Sequence, residues 1–161
     1  MSIEFLVEVE GLEKVQAVVI PLGSTVREVV VAAAEMGGFG HEQALLFVED
    51  GDEPIDLTIV VDEGYQHQRV HHVHRSHRIK VSVLYNGVTK THEFSPATRV
   101  AKVLEWAVGS DGFAIDTAIA PEFVLLIGER ELPVDAHIGR FLRHHEECLH
   151  LELGRGSIQN G

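Results

Sequence analysis

Four groups of residues have the types and spacing that chemistry requires. Histidines 67, 71, 72, 74 and 77 crowd one stretch, and imidazoles at alternating strand positions such as His72 and His74 could chelate zinc or nickel. No cysteine joins them, and Asp62 and Glu63 are the only nearby carboxylates, so the simpler reading is a His-rich strand and linker with no metal. His144-His145 precede Glu146-Glu147 and Cys148, an order that hints at a Cys/His nucleophile. A reactive thiolate needs a positive setting, which two glutamates oppose, so Cys148 is expected to be structural. Glu49, Asp50, Asp52 and Glu53 lack the ligand spacing of a calcium loop and read as a solvated turn. The fourth group is Gly154-Arg155-Gly156, a slim segment without Cβ atoms at two of its three positions, near the C-terminus.

These groups sit in a chain of 161 residues, 45% hydrophobic and 24% charged, a composition that argues against wholesale disorder. Thirteen Lys and Arg against 25 Asp and Glu give a net charge of −12, which repels phosphate backbones and argues against nucleic-acid binding. The longest apolar runs, such as Val29 to Ala34, are too short to span a bilayer, so no membrane association is expected. The opening MSIEFLVEVEG lacks the basic, apolar and small-residue pattern of a leader, so none is expected, and the single cysteine cannot form an internal disulfide. A soluble, cytoplasmic protein is expected.

Self-comparison reveals two copies of one unit. A shift of 74 sets Thr25–Val30 near Arg99–Leu104 and Gly38-Phe39 on Gly112-Phe113; a shift of 79 sets Pro54-Ile55-Asp56 on Pro133-Val134-Asp135. Each copy opens with a period-2 strand (Ile3, Phe5, Val7, Val9; Ile79, Val81, Val83, Tyr85). A second strand follows over 15–20 and 88–94, the latter after Asn86-Gly87, a strong hairpin signal. The period then becomes helical: Val26, Val29, Val30 and Ala33 in one copy, Val100, Val103, Leu104 and Ala107 in the other. Thr25 with Glu28 reads as a capping box and Thr98 as an N-cap. Short strands over 44–48 and 123–127 and closing strands over 69–74 and 148–153 complete each unit. The register of the first closing strand is open: the 79 shift faces Val70 and His72 inward, whereas a one-residue slip buries Val73. The fold class is α+β, two tandem small mixed sheets each wrapped over one helix.

The closing stretch Cys148-Leu149-His150-Leu151-Glu152-Leu153-Gly154-Arg155-Gly156 resembles ubiquitin's last strand and Arg/Gly tail. Phe94-Ser95-Pro96-Ala97-Thr98 resembles its entry to the helix, and Leu125-Leu126-Ile127-Gly128 with Leu132 its third strand and turn. The chain as a whole resembles the two-domain bacterial ubiquitin-like modifiers of antiphage conjugation operons, similar in layout to the interferon-induced tandem modifier of eukaryotes. The resemblance implies two β-grasp domains, 1–75 and 79–156, a linker 76–78 and a removable extension 157–161. It implies a protein modifier with no catalytic residues or cofactor of its own, trimmed between Gly156 and Ser157 and joined through the Gly156 carboxylate to a target amine. Gly154 would release the chain from the sheet and leave Arg155 to dock in an activating enzyme. The implied partners are a ubiquitin-activating-like adenylating enzyme, a ubiquitin-conjugating-like enzyme, a zinc-dependent deubiquitinase-like peptidase and a target protein, a phage structural protein among the candidates. Ubiquitin's recognition patch would fall at Leu126, His150 and Glu152. The tail departs from ubiquitin in lacking an adjacent Gly pair and in being about two residues shorter. Other readings are a working terminus at Gly161, a non-conjugated binding or adaptor module, and a sulfur carrier.

Overall fold

The computed structural model describes residues 1–65 and 67–156. The alternating residues of the first copy pair as an antiparallel ladder, β1 (Ser2–Val9) with β2 (Gln16–Pro21), followed by helix α1 (Arg27–Gly37). Strands β3 (Leu45–Val48) and β4 (His71–His74) complete a four-stranded sheet of order β2-β1-β4-β3, with β4 parallel to β1. The second copy repeats the plan: β5 (Ile79–Tyr85), β6 (Val88–Phe94), α2 (Val100–Val108), β7 (Phe123–Ile127), the two-residue β8 (Arg130–Glu131) and β9 (Leu149–Arg155). Its order is β6-β5-β9-β7-β8, with β9 parallel to β5. Each sheet covers one face with its helix, giving two tandem β-grasp domains of the α+β class.

Packing follows the two periods. Phe5, Val7 and Val9 meet Val26, Val29, Val30 and Ala33 in one core; Val81 and Val83 meet Val100, Val103 and Ala107 in the other. Asn86 and Gly87 both take positive φ (54° and 80°), the backbone that closes a tight β5–β6 hairpin. In the first closing strand Val73 enters the core, so the one-residue slip is the register formed. His71 also points inward, where its Nε2 meets the Tyr65 hydroxyl at 2.9 Å, and His72 and His74 consequently face outward.

Neither expected threonine cap forms. Val26 and Arg99 are the N-cap residues, and neither helix start has a side-chain cap of its own. The threonine segments are engaged in cross-chain pairing instead, Thr25 with Val60, and Thr98 through its carbonyl with the Ile138 N–H at 2.8 Å. The Arg99 N–H is satisfied from the other domain, by Asp50 Oδ1 at 3.0 Å. Among the described residues no helix is long and apolar enough to cross a membrane.

Candidate functional site

The C-terminal strand lies at the centre of its sheet. β9 runs between β5 and β7, so alternate side chains are forced to opposite faces. Leu149, Leu151 and Leu153 are buried against the core. His150 and Glu152 project from the outer face, where Glu152 is the cross-strand partner of both Leu126 and Leu84, and His150 that of Ser82. The structure thus brings Leu126, His150 and Glu152 onto one outer face. It adds Leu84, which is 41% exposed and which sequence reasoning missed. The signal was present: Leu84 is the apolar residue in the outward phase of a strand whose inward phase is Val81 and Val83.

Beyond Leu153 the chain does not leave the sheet. Gly154 pairs with Val124 and Arg155 with Phe123, and the Gly156 N–H donates to the Glu122 carbonyl at 2.8 Å. Arg155 Nη1 lies 3.2 Å from Glu122 Oε1, and its guanidinium stands over the Phe123 ring. The expected release at Gly154 is therefore corrected. β7 and the turn before it continue alongside as a template, and glycine donates to a ladder as well as any residue. Space here is limited, since a Cβ on Gly154 would stand 3.2 Å from Leu126 Cδ1 and one on Gly156 3.1 Å from Val124 Cγ1. Ser157 and the remainder of 157–161 lie outside the described residues.

Cys148 is half-buried with its thiol on the Leu149 carbonyl, while His144 is turned to the Ser76 hydroxyl at 2.9 Å. No Cys/His pair is thereby assembled. The acidic turn is not merely solvated: Asp50 Oδ2 meets Arg99 Nε at 2.6 Å, and Glu53 meets His77 Nε2 at 2.7 Å. The first contact binds the first domain to the second, and the other ties it to the linker.

The outward histidines are covered by that second domain. Glu8, His72 and Phe47 form one buried row across β1, β4 and β3, with Glu8 and His72 against the segment 137–142 and the Phe47 ring stacked on His77. His72 Nδ1 lies 3.0 Å from His137 Nδ1, and His74 Nε2 donates to the Leu142 carbonyl at 2.7 Å. Glu8 accepts the His137 N–H at 2.8 Å and lies 2.8 Å from Arg140 Nε. Burial away from water holds all three imidazoles neutral: it pushes His72 well below its ordinary pKa, His137 down to about 3, and His74 downward against the pull of Glu10. Burial likewise raises Glu8. At Glu10 burial acts upward too. It is overridden by hydrogen bonds from Arg75 and the His144 N–H, which hold that carboxyl down at about 2. Donor atoms of Glu8, His72 and His137 fall within 4.8 Å of one another, a span a cation could bridge. In this arrangement Arg140 lies 2.8 Å from Glu8 and the two Nδ1 atoms bond each other, so these donors are engaged in a hydrogen-bonded seam.

No curated protein matches the chain. Residues 80–156, which include the C-terminal strand and its outer face, match the family described as BilA ubiquitin-like domain 2, so the second of the two β-grasp domains is similar to that ubiquitin-like domain.

Proposed function

We propose that the chain is a ubiquitin-like protein modifier of bacterial antiphage defence, acting in the cytoplasm, trimmed after Gly156 and conjugated through the Gly156 carboxylate. The observation that carries the proposal is the strand Leu149-His150-Leu151-Glu152-Leu153, central in a ubiquitin-like domain and ending in Gly-Arg-Gly at the sheet's rim. An adenylating enzyme would join the carboxylate to the α-phosphate of ATP, releasing pyrophosphate. A cysteine thiolate would then displace AMP, and a target amine would displace that thiolate to leave an amide. All the catalytic groups belong to the partner enzymes, and a zinc-dependent peptidase would expose Gly156 by removing 157–161. The outer face of Leu84, Leu126, His150 and Glu152 suits recognition, with Glu152 disfavouring modules that require a wholly apolar patch. The first domain passes from β4 to β5 through Arg75-Ser76-His77-Arg78 and offers no second donor.

One observation favours a second reading of the terminus. Gly156 is hydrogen-bonded to Glu122, so a chain ending there has no free arm until its last residues peel from β7. Gly161 would supply such an arm. The test gives both forms, ending at Gly156 and at Gly161, to the cognate activating and conjugating enzymes with ATP. Thioester formation by the form ending at Gly156 supports the proposal. Thioester only from the full-length form moves the donor to Gly161, and no adduct from either points to an adaptor.

A further inference from the structure

We propose that the seam between the two domains is a histidine latch, closed while His72, His74 and His137 are neutral and opened by mild acid to uncover the outer sheet face of the first domain. The tautomer of His74 is fixed by geometry. His74 Nε2–H donates to the Leu142 carbonyl at 2.7 Å, while Nδ1 accepts the Ser76 N–H at 2.9 Å. A second proton on this ring would face a donor. His72 and His137 share one hydrogen bond between their Nδ1 atoms at 3.0 Å, which has room for one proton. Both Nε2 atoms are buried without a hydrogen-bond partner; the ring whose Nδ1 accepts already carries one unsatisfied Nε2–H, and a further proton on the pair would add a second.

Glu8 Oε2 lies 3.6 Å from His137 Nε2 and Glu10 Oε1 3.7 Å from His74 Nδ1, but each carboxylate near the seam is already shared with an arginine. Glu8 is paired with Arg140 at 2.8 Å, Glu10 with Arg75 at 2.6 Å and Asp50 with Arg99 at 2.6 Å. Glu49 stands 3.4 Å from His137 Nε2 but also faces Arg99 at 3.8 Å. His144, on the second domain, also opposes a charge on His74. Packing permits no relaxation, because a Cβ on Gly139 would already lie 2.4 Å from His72 Nε2.

The sign follows from linkage. Opened to water, the imidazoles return to their ordinary value of 6.5, whereas burial in the closed form depresses all three. Docking is therefore at full strength above pH 6.5. Below that it weakens by about tenfold per histidine per pH unit, down to the pH at which the closed form itself takes the proton. Of the carboxylates, Glu10 acts in the same direction only below 4.5, and Glu8 and Glu49, both raised by burial, act in the opposite one. Below pH 6.5 the three histidines act together against these two carboxylates.

Small-angle X-ray scattering of the full chain from pH 7.5 to 5, with far-ultraviolet circular dichroism alongside, tests the latch. The radius of gyration should rise below pH 6.5 with the secondary structure intact, and the double variant His72→Leu/His137→Leu, which keeps only His74, should open at a lower pH. Should that variant misfold, ring resonances of the unmodified chain replace it: the three buried histidines should take up protons only as the domains part. A compact particle throughout, opening at an unchanged pH in the double variant, loss of secondary structure without prior opening, or titration near 6.5 within the compact form would each overturn the proposal.

Discussion

Glu10 offers the clearest quantitative test of how the two domains are held. Its side chain is fully buried and accepts the Arg75 N–H at 3.1 Å, Arg75 Nε at 3.0 Å, Arg75 Nη2 at 2.6 Å and the His144 N–H at 2.8 Å. Together these hold its pKa at about 2 against an ordinary 4.5. The difference of about 2.5 units corresponds to about 3 kcal/mol at neutral pH, and the partial exposure of Arg75 screens this to about 2 kcal/mol. Glu10→Gln keeps the shape, removes the charge and turns an amide N–H₂ toward existing donors. We expect urea denaturation at pH 7.5 to show the variant about 2 kcal/mol less stable. A depressed carboxyl contributes stability above its unfolded pKa and loses it as pH falls, so the gap should close between pH 4.5 and about 2. A cost below about 0.5 kcal/mol at pH 7.5, or one of equal size at pH 3, would refute the reasoning.

Three further substitutions probe separate parts of the fold. Val103→Asp places an unpaired carboxylate at a fully buried site in the second core and should cost several kcal/mol, enough to abolish the dispersed amide spectrum of that domain. Gly139→Ala would bring a methyl to 2.4 Å from His72 Nε2 and 2.7 Å from the Pro96 carbonyl, so a loss of about 1–3 kcal/mol in thermal or urea unfolding is expected, with increased hydrogen exchange along β4. Asp50→Ala removes both the acceptor for the Arg99 N–H and the 2.6 Å ion pair, and should cost about 1 kcal/mol with faster exchange in the first turn of α2.

Much of the fold was legible because each element buries one face of a regular pattern. Phe5-Val7-Val9 and Val81-Val83 alternate, Val100-Val103-Ala107 recur at helical spacing, and Asn86-Gly87 marks its hairpin. What was hidden depends on partners far away in the chain. Thr25 and Thr98 have the right chemistry for caps, but backbone pairing to Val60 and Ile138 removes them, and an aspartate from the other domain serves α2. The histidine-rich strand gave two possible phases because imidazole is tolerated on either side; burial of Val73 and the Tyr65–His71 contact select one. The pairing of His72 with His137 spans 65 positions, beyond any local spacing rule. At the tail, the composition of Gly-Arg-Gly suggested a loose arm, whereas the decisive factor was a neighbouring strand long enough to hold it.

The parallel pairing of the closing strand with the opening strand also gives the molecule a mechanical character. In each domain the first and last strands lie side by side and point the same way, β1 with β4 and β5 with β9. Tension applied at the two ends of either domain therefore pulls the pair lengthwise past each other. The bonds joining 81–84 to 149–152 must then yield together, as in a lap joint, and not one after another as in a zip. Two such joints stand in series along the chain, joined by 75–78. A motor drawing on the C-terminal end meets the stronger direction of the sheet first.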